Sequence, residues 1–306
     1  MCRILGITPH DWYGVRRALS AITPDYSAPA DALTRLETDR PDVVVFGCYL
    51  PEWKPILDAA RRLGCRTVLT WYASYILNEF DHRNRLWMTA ALREAKNGYF
   101  DFVATPYTGL AVAWSHFGIP TDVLPPTVTT TLTPIPKRAG MHIGVLGSSQ
   151  PWKNMDTQVI AASMIPDAIV HVQKMHRTEA IRVLGITPTV HDHFASDDDY
   201  HALVGSMRIN LTVSMSETFS FLTAESLLLG TPVVTSSVTP IFADAPPELS
   251  VCRISQFDDP VCIRDTMHRV LDKYDEIVQV GRDHMLDLNV RNRVLANAVI
   301  DRWSSS

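Results

Sequence analysis

Between Ser214 and Val234 the chain reads SMSETFSFLTAESLLLGTPVV, with two carboxylates, Glu217 and Glu225, on either side of a run of small, polar and aromatic residues. An apolar strand ends at Ser214, a loop follows, and a helix opens near Phe221 with Leu222, Leu227 and Leu228 among its apolar positions. Gly230 stops that helix, and Thr231–Pro232 starts the next strand. The backbone N–H groups of Phe219, Ser220, Phe221 and Leu222 are then expected at the positive end of a helix dipole, at the mouth of a sheet, which is a place for an anion. Glu217 from the loop and Glu225 from the helix can face the same ligand. Two carboxylates beside an anion site suit a polyhydroxylated molecule that carries phosphate.

A second block, Ile143–Ala162, reads IGVLGSSQPWKNMDTQVIAA: a strand, a loop with Gly147, then Lys153 and a helix. A cation at a helix start opposes the dipole unless an anion binds there, so Lys153 is a candidate phosphate ligand, with solvated surface as the alternative.

Together the two blocks resemble the retaining, nucleotide-sugar-dependent glycosyltransferases of the GT-B fold, the glycosyl transferase group 1 family, over roughly residues 141–240. The family's hallmark is Glu, seven residues, Glu, then Gly-x-Pro-Val-Val. Here it runs from Glu217 through Phe219 and Glu225 to Gly230, Pro232, Val233 and Val234. The family's Gly-Arg, four residues, Lys is kept at Gly147 and Lys153, but Ser148 stands at the arginine position. The resemblance implies that Lys153 and the helix N-terminus hold the donor diphosphate, with Ser148, Ser149 and backbone N–H groups in place of the arginine. It further implies that Glu217 orients the sugar and that Glu225 holds the ribose hydroxyls. The same resemblance implies that the leaving phosphate can itself accept the acceptor's proton, so no side chain is named as general base, and the motif calls for no metal or cofactor.

The N-terminal block ITPHDWYGVRRAL lies where the family has a Gly-rich loop. Gly14 can stand for the glycine that lets backbone approach the donor, and Arg16 or Arg17 for the basic residue after it, although the usual double glycine is absent. The family's donor-contacting histidine would fall at Trp71–Tyr72, where there is none; His10 or His82 is a substitute or an ordinary loop histidine.

The elements that must position these residues alternate along the chain. Strands are expected at Arg3–Thr8, Asp42–Gly47, Arg66–Trp71 and Asp101–Thr105, with helices near Trp12–Ile22, Glu52–Leu63 and Glu79–Lys96. The proline- and threonine-rich Pro125–Arg138 reads as a linker. The pattern restarts with strands at Met141–Leu146, Ala168–Gln173, Arg208–Ser214 and Pro232–Ser236, helices from about Lys153 and over Phe221–Leu229, and two or three closing helices in Asp258–Trp303. This is an α/β chain of two tandem doubly wound, Rossmann-like domains facing a cleft. Residues 1–135 are expected to be the acceptor-side domain and 136–306 the nucleotide-sugar domain with its closing helices.

Composition narrows the rest. The 306 residues are 46% hydrophobic and 20% charged, enough for two domains with cores of their own, and this excludes disordered and disulfide-stapled classes. Five scattered cysteines show no Cys-x-x-Cys spacing, which reads as reduced buried thiols. No apolar run is long enough to span a bilayer, and the polar N-terminus forms no signal-peptide core, so a cytoplasmic protein is expected. The net charge of −5 comes from the second half, with 13 basic and 13 acidic residues in 1–135, which argues mildly against nucleic acid.

Asp197–Asp199 resembles an Asp-x-Asp metal motif, but it precedes Tyr200–Gly205 and reads as helix capping. His191 and His193 lack a third ligand at zinc spacing, and His191 stays a candidate contact to the nucleotide base. The expected function is transfer of a sugar from a nucleoside diphosphate sugar to a hydroxyl acceptor. A first alternative is a phage-type DNA glycosyltransferase acting on hydroxymethylated bases through Arg16, Arg17, Arg61, Arg62, Arg83 and Arg85. Others are a non-catalytic sugar-nucleotide binder and an epimerase on the same fold.

Overall fold

The computed structural model describes residues 2–9, 13–148, 150–173, 179–192 and 194–305. The chain divides into two compact units, one of Met1–Thr127 with Val290–Ser306 and the other of Val128–Asn289.

The first unit carries strands β1 (Ile4–Ile7), β2 (Tyr26–Ser27), β3 (Val43–Phe46), β4 (Arg66–Thr70), β5 (Phe102–Thr105) and β6 (Thr121–Val123). Between them lie helices α1 (Tyr13–Leu19), α2 (Pro29–Asp39), α3 (Lys54–Arg62), α4 (Leu77–Phe80), α5 (His82–Lys96) and α6 (Thr108–His116). All strand pairs are parallel, in the order β2-β1-β3-β4-β5-β6. Strand β3 reads VVVF and is wholly buried, as a parallel strand covered on both faces requires. A side chain at Gly47 would meet Val15 at 2.7 Å and Leu19 at 2.8 Å, so the missing Cβ lets α1 lie on the sheet. Residues 29–39, to which the sequence pattern assigned no element, form α2. Its buried face is only Ala32 and Leu36, too thin a stripe to stand out among Asp, Thr and Arg.

The second unit carries β7 (Met141–Val145), α7 (Met155–Ser163), β8 (Ala168–Gln173), α8 (Glu179–Val183), β9 (Thr189–His191), α9 (Asp197–Ser206) and β10 (Ile209–Thr212). It continues with α10 (Phe221–Leu228), β11 (Val233–Ser236), β12 (Arg253–Ile254), α11 (Pro260–Asp272) and α12 (Tyr274–Ser305). Its sheet, also parallel, has the order β12-β11-β10-β7-β8-β9. The direction of winding reverses between β7 and β10. Ligands of open α/β sheets bind at such a switch point, beyond the carboxyl ends of the strands.

The boundaries differ from the expected 1–135 and 136–306 at both ends. Helix α12 begins in the second unit, but Ala296, Val299 and Trp303 are buried with Leu19, Val43, Val68 and Leu124 of the first. The guanidinium of Arg66 also donates to the Trp303 carbonyl at 2.6 Å. An apolar stripe at three- and four-residue spacing says that a helix end is buried and not against which sheet.

The segment read as a linker has no regular structure, yet it is held down. Asn289 donates to the Val128 carbonyl at 2.6 Å and accepts from its N–H at 2.9 Å, and Asn292 donates to the Pro126 carbonyl at 2.9 Å. Lys137 donates to the Gly205 carbonyl at 2.6 Å and to Thr231 Oγ1 at 2.7 Å, which places a cation at the C-terminal end of α9. Among the described residues, no helix is long and apolar enough to cross a membrane.

Candidate functional site

The two loops at the β7/β10 switch point hold the residues singled out by type. After β7 the chain passes Leu146 and Gly147, turns through a short 3-10 segment at Pro151–Lys153, and enters α7 through Asn154 in left-handed conformation (φ 53°). The Asn154 amide donates to the Phe257 carbonyl at 2.5 Å, fixing that turn. Buried Gln158 then ties the two loops together. It donates to the Lys153 carbonyl at 2.6 Å and accepts from the Val213 N–H at 2.8 Å, while Met215 N–H donates to the Trp152 carbonyl at 2.8 Å.

The consequence is that Lys153 and Glu217 meet. The Lys153 ammonium donates to Glu217 Oε1, and Ser214 Oγ donates to the same oxygen at 3.0 Å. Lys153 is therefore not a solvated surface lysine, and it lies two residues before α7 rather than on its first turn. A carboxylate clasped by an ammonium and a hydroxyl is held in one orientation.

Helix α10 opens beside this pair. Its cap, Ser220, is a non-glycine residue in left-handed conformation (φ 69°, ψ 82°) whose Oγ accepts from the Thr223 N–H at 3.4 Å. A hydroxyl chain continues from Ser220 to Thr223 at 2.8 Å and from Thr223 to Thr212 of β10 at 2.8 Å, setting the helix on the strand. The Thr223 N–H is taken by the Ser220 hydroxyl, and helix geometry directs the N–H groups of Phe221 and Leu222 toward the N-terminal end of α10. The Phe219 ring is buried and meets Phe221 edge-on at 5.2 Å, so only its backbone remains for a ligand.

Glu225 lies in the second turn of α10 and is 1% exposed. Its Oε1 is 3.2 Å from Nε2 of His201 on α9. The sequence pattern gave no sign of this partner, because helix-to-helix register is set by packing and leaves no local signature. Ser148 is exposed in the loop after β7; Gly147 has only ordinary contact there, with a Cβ meeting Met155 Sδ at 3.5 Å. Ser149 lies outside the described residues, as do His10 and His193.

In the first unit, Gly14 is exposed on α1, and a Cβ there would meet nothing within 4 Å. It sits in a helix rather than in a Gly-rich loop. Arg16 donates to the Tyr26 hydroxyl at 3.1 Å and lies over that ring. Trp71 is buried, and burial pushes the Tyr72 phenol well above its ordinary range. Of the arginines considered for a nucleic-acid groove, Arg61, Arg83 and Arg85 face Asp101, Asp81 and Glu79, at 3.7, 3.3 and 3.9 Å. Ser196 caps α9, accepting from the Asp199 N–H at 3.1 Å, and Asp197–Asp199 fill its first turn, where acidic residues complement the dipole.

No family model matches the sequence, and no curated protein matches it. Solved structures do match. Anabaena HepE in complex with UDP and glucose is 12% identical over the whole of both chains, with a TM-score of 0.79. Sucrose-phosphate synthase from Thermosynechococcus elongatus is 12% identical over 99% of each chain, with a TM-score of 0.73. An Escherichia coli protein described as trehalose-6-phosphate, bound with UDP-2-fluoro glucose, is 11% identical over 99% of each chain, with a TM-score of 0.67. The chain has the two-unit α/β fold of the GT-B glycosyltransferases.

Proposed function

We propose that this GT-B-fold chain moves a sugar from a nucleoside diphosphate sugar to a hydroxyl acceptor with retention of anomeric configuration. The observation that carries the reading is the Lys153–Glu217 pair at the β7/β10 switch point, beside the N-terminus of α10. Bond cleavage puts negative charge on the departing diphosphate and oxocarbenium character on the sugar. Lys153 and the first-turn N–H groups of α10 would meet the first charge, with backbone at Gly147 and the hydroxyls of Ser148 and Ser149. Glu217, already held by Ser214, would face the second. Glu225 would accept from the ribose hydroxyls, and Gly14 of the first unit is assigned to the donor by the family pattern alone. The leaving phosphate takes the acceptor's proton. Because the diphosphate charge is met by an ammonium and a helix end, no divalent ion is required.

Several similar structures hold UDP or a UDP-sugar, which supports uridine donors as the first to test. Non-catalytic binding is the second reading, favoured by Ser148 in place of the phosphate-binding arginine. A DNA acceptor is disfavoured by the carboxylates that face three of the six arginines considered.

Purified protein with UDP-, GDP- and ADP-sugars, with and without hydroxymethylcytosine DNA, should release nucleoside diphosphate from one donor, unchanged by a chelator. Lys153→Ala should lower kcat/KM about 10²–10³-fold, the loss typical of one preorganised oxyanion donor, and Glu217→Gln should lower kcat with little effect on donor affinity. Binding without release would select the non-catalytic reading. Release that survives both substitutions would overturn the site.

A further inference from the structure

We propose that His201 is the positioning residue for Glu225: its Nε2–H donates to Glu225 Oε1 and sets the rotation of the carboxylate before any nucleotide arrives. The inference rests on the reading of Glu225 as the ribose ligand. A carboxylate at 1% exposure has lost its hydration, and protein donors must hold its oxygens in its place. His201 supplies one from a neighbouring helix, at 3.2 Å and with its own side chain only 15% exposed.

The ring itself is backed by a file of aromatic neighbours. His201 lies 5.7 Å from Tyr200, Tyr200 meets Phe194 edge-on at 5.3 Å, and Phe194 stacks on His191 at 6.2 Å. The register between α9 and α10 is locked independently. Asn210 of β10 donates to the Val204 carbonyl at 3.0 Å and to Ser226 Oγ at 2.9 Å, so the residue after Glu225 is tied to α9. Leu203, Val204 and Met207 pack with Leu146 and Leu229 around that tie. A donor on a rigid helix, aimed at a buried acceptor on another, is the arrangement that orients a binding group in advance, so ordering costs less when the ligand binds.

Loss of this donor loosens the orientation of the Glu225 carboxylate. Ribose recognition then weakens, while Lys153 at the diphosphate and Glu217 at the sugar are untouched. Binding lost equally from ground and transition states raises KM and leaves kcat unchanged. His201→Phe should raise the donor KM about 10–30-fold, in keeping with one hydrogen bond to a charged group, and His201→Gln, which keeps a donor at the Nε2 position, should restore most of it.

The deciding measurement is calorimetric binding of UDP, GDP and ADP, and then of the 2′,3′-dideoxy form of whichever binds. The wild type should prefer the ribonucleotide. His201→Phe should lose that preference and His201→Gln keep it, at melting temperatures that show all variants folded. A merely structural His201 would weaken both nucleotides alike and leave the preference intact, which overturns the inference. Glu225→Gln separates the two levels. If it keeps the preference, the ribose reading falls and takes the inference with it; if it loses the preference while His201→Phe keeps it, only the inference falls. Binding of none of the three nucleotides overturns both.

Discussion

Lys153 meets Glu217 across 64 positions of sequence, and that contact changes what each residue can do. On the proposed reading, a diphosphate arriving there would meet an ammonium already desolvated in part and already held by a counter-charge, and would need only to share the cation. Ser220 is the other residue with a specific physical demand on it. Its left-handed backbone costs a non-glycine residue roughly 1–2 kcal/mol, while its hydroxyl caps α10. Ser220→Ala keeps the strain and loses the cap, and should cost about 1 kcal/mol in denaturant unfolding. Ser220→Gly relieves the strain as it loses the cap, and should lie within about 0.5 kcal/mol of wild type. A glycine variant clearly less stable than the alanine one would show that the backbone is not strained there.

At the scale of elements, the second sheet carries a diagonal of histidines. His142 on β7, His171 on β8 and His191 on β9 step two residues along each successive strand, with rings stacked at 5.2 and 5.3 Å. His142 Nε2–H donates to the Ala139 carbonyl at 3.1 Å, which leaves His142 Nδ1 to accept from His171 Nε2–H at 2.9 Å and His171 Nδ1 to accept from His191 Nε2–H at 3.0 Å. The backbone carbonyl thus fixes all three tautomers, and the chain is satisfied with every ring neutral. Burial, with Arg138 and the neighbouring histidines, brings His171 down to about 4, and His191 is lowered by burial and Arg138. His171 and His191 bind protons more readily unfolded than folded, so their stabilisation is complete above about pH 6.5 and declines as pH falls toward 4. The loss attributable to His171 is about 3 kcal/mol at most. Urea titrations between pH 7 and 4.5 should show it, and His171→Phe should flatten the profile. A wild-type profile already flat in that window would mean the rings are charged in the fold.

At the scale of the whole molecule, α12 serves both units, and its last turns complete the core of the first. Trp303 is fully buried, so Trp303→Ala should cost about 3–5 kcal/mol and should act on one unit. Hydrogen exchange should speed up in β3 and β4, and β10 and β11 should keep their protection. Equal loss in both sheets would show that the two units unfold as one.

The sequence by itself determined the parallel α/β class and most of its strands, because the apolar run of β3 and the apolar–polar alternation of β10 are local properties. It also determined the Glu217-to-Val234 block as a strand, loop, helix and strand, because Gly230 and Pro232 punctuate it. Thin elements such as α2 and the two-residue strands β2 and β12 escaped it, since they are held by neighbours rather than by their own pattern. Only the tertiary structure decided that Trp303 belongs to the first core, that Lys153 is clasped by Glu217, and that His201 stands behind Glu225. Each is a contact between residues at least 24 positions apart, fixed by how helices seat on a sheet, and no spacing along the chain encodes it.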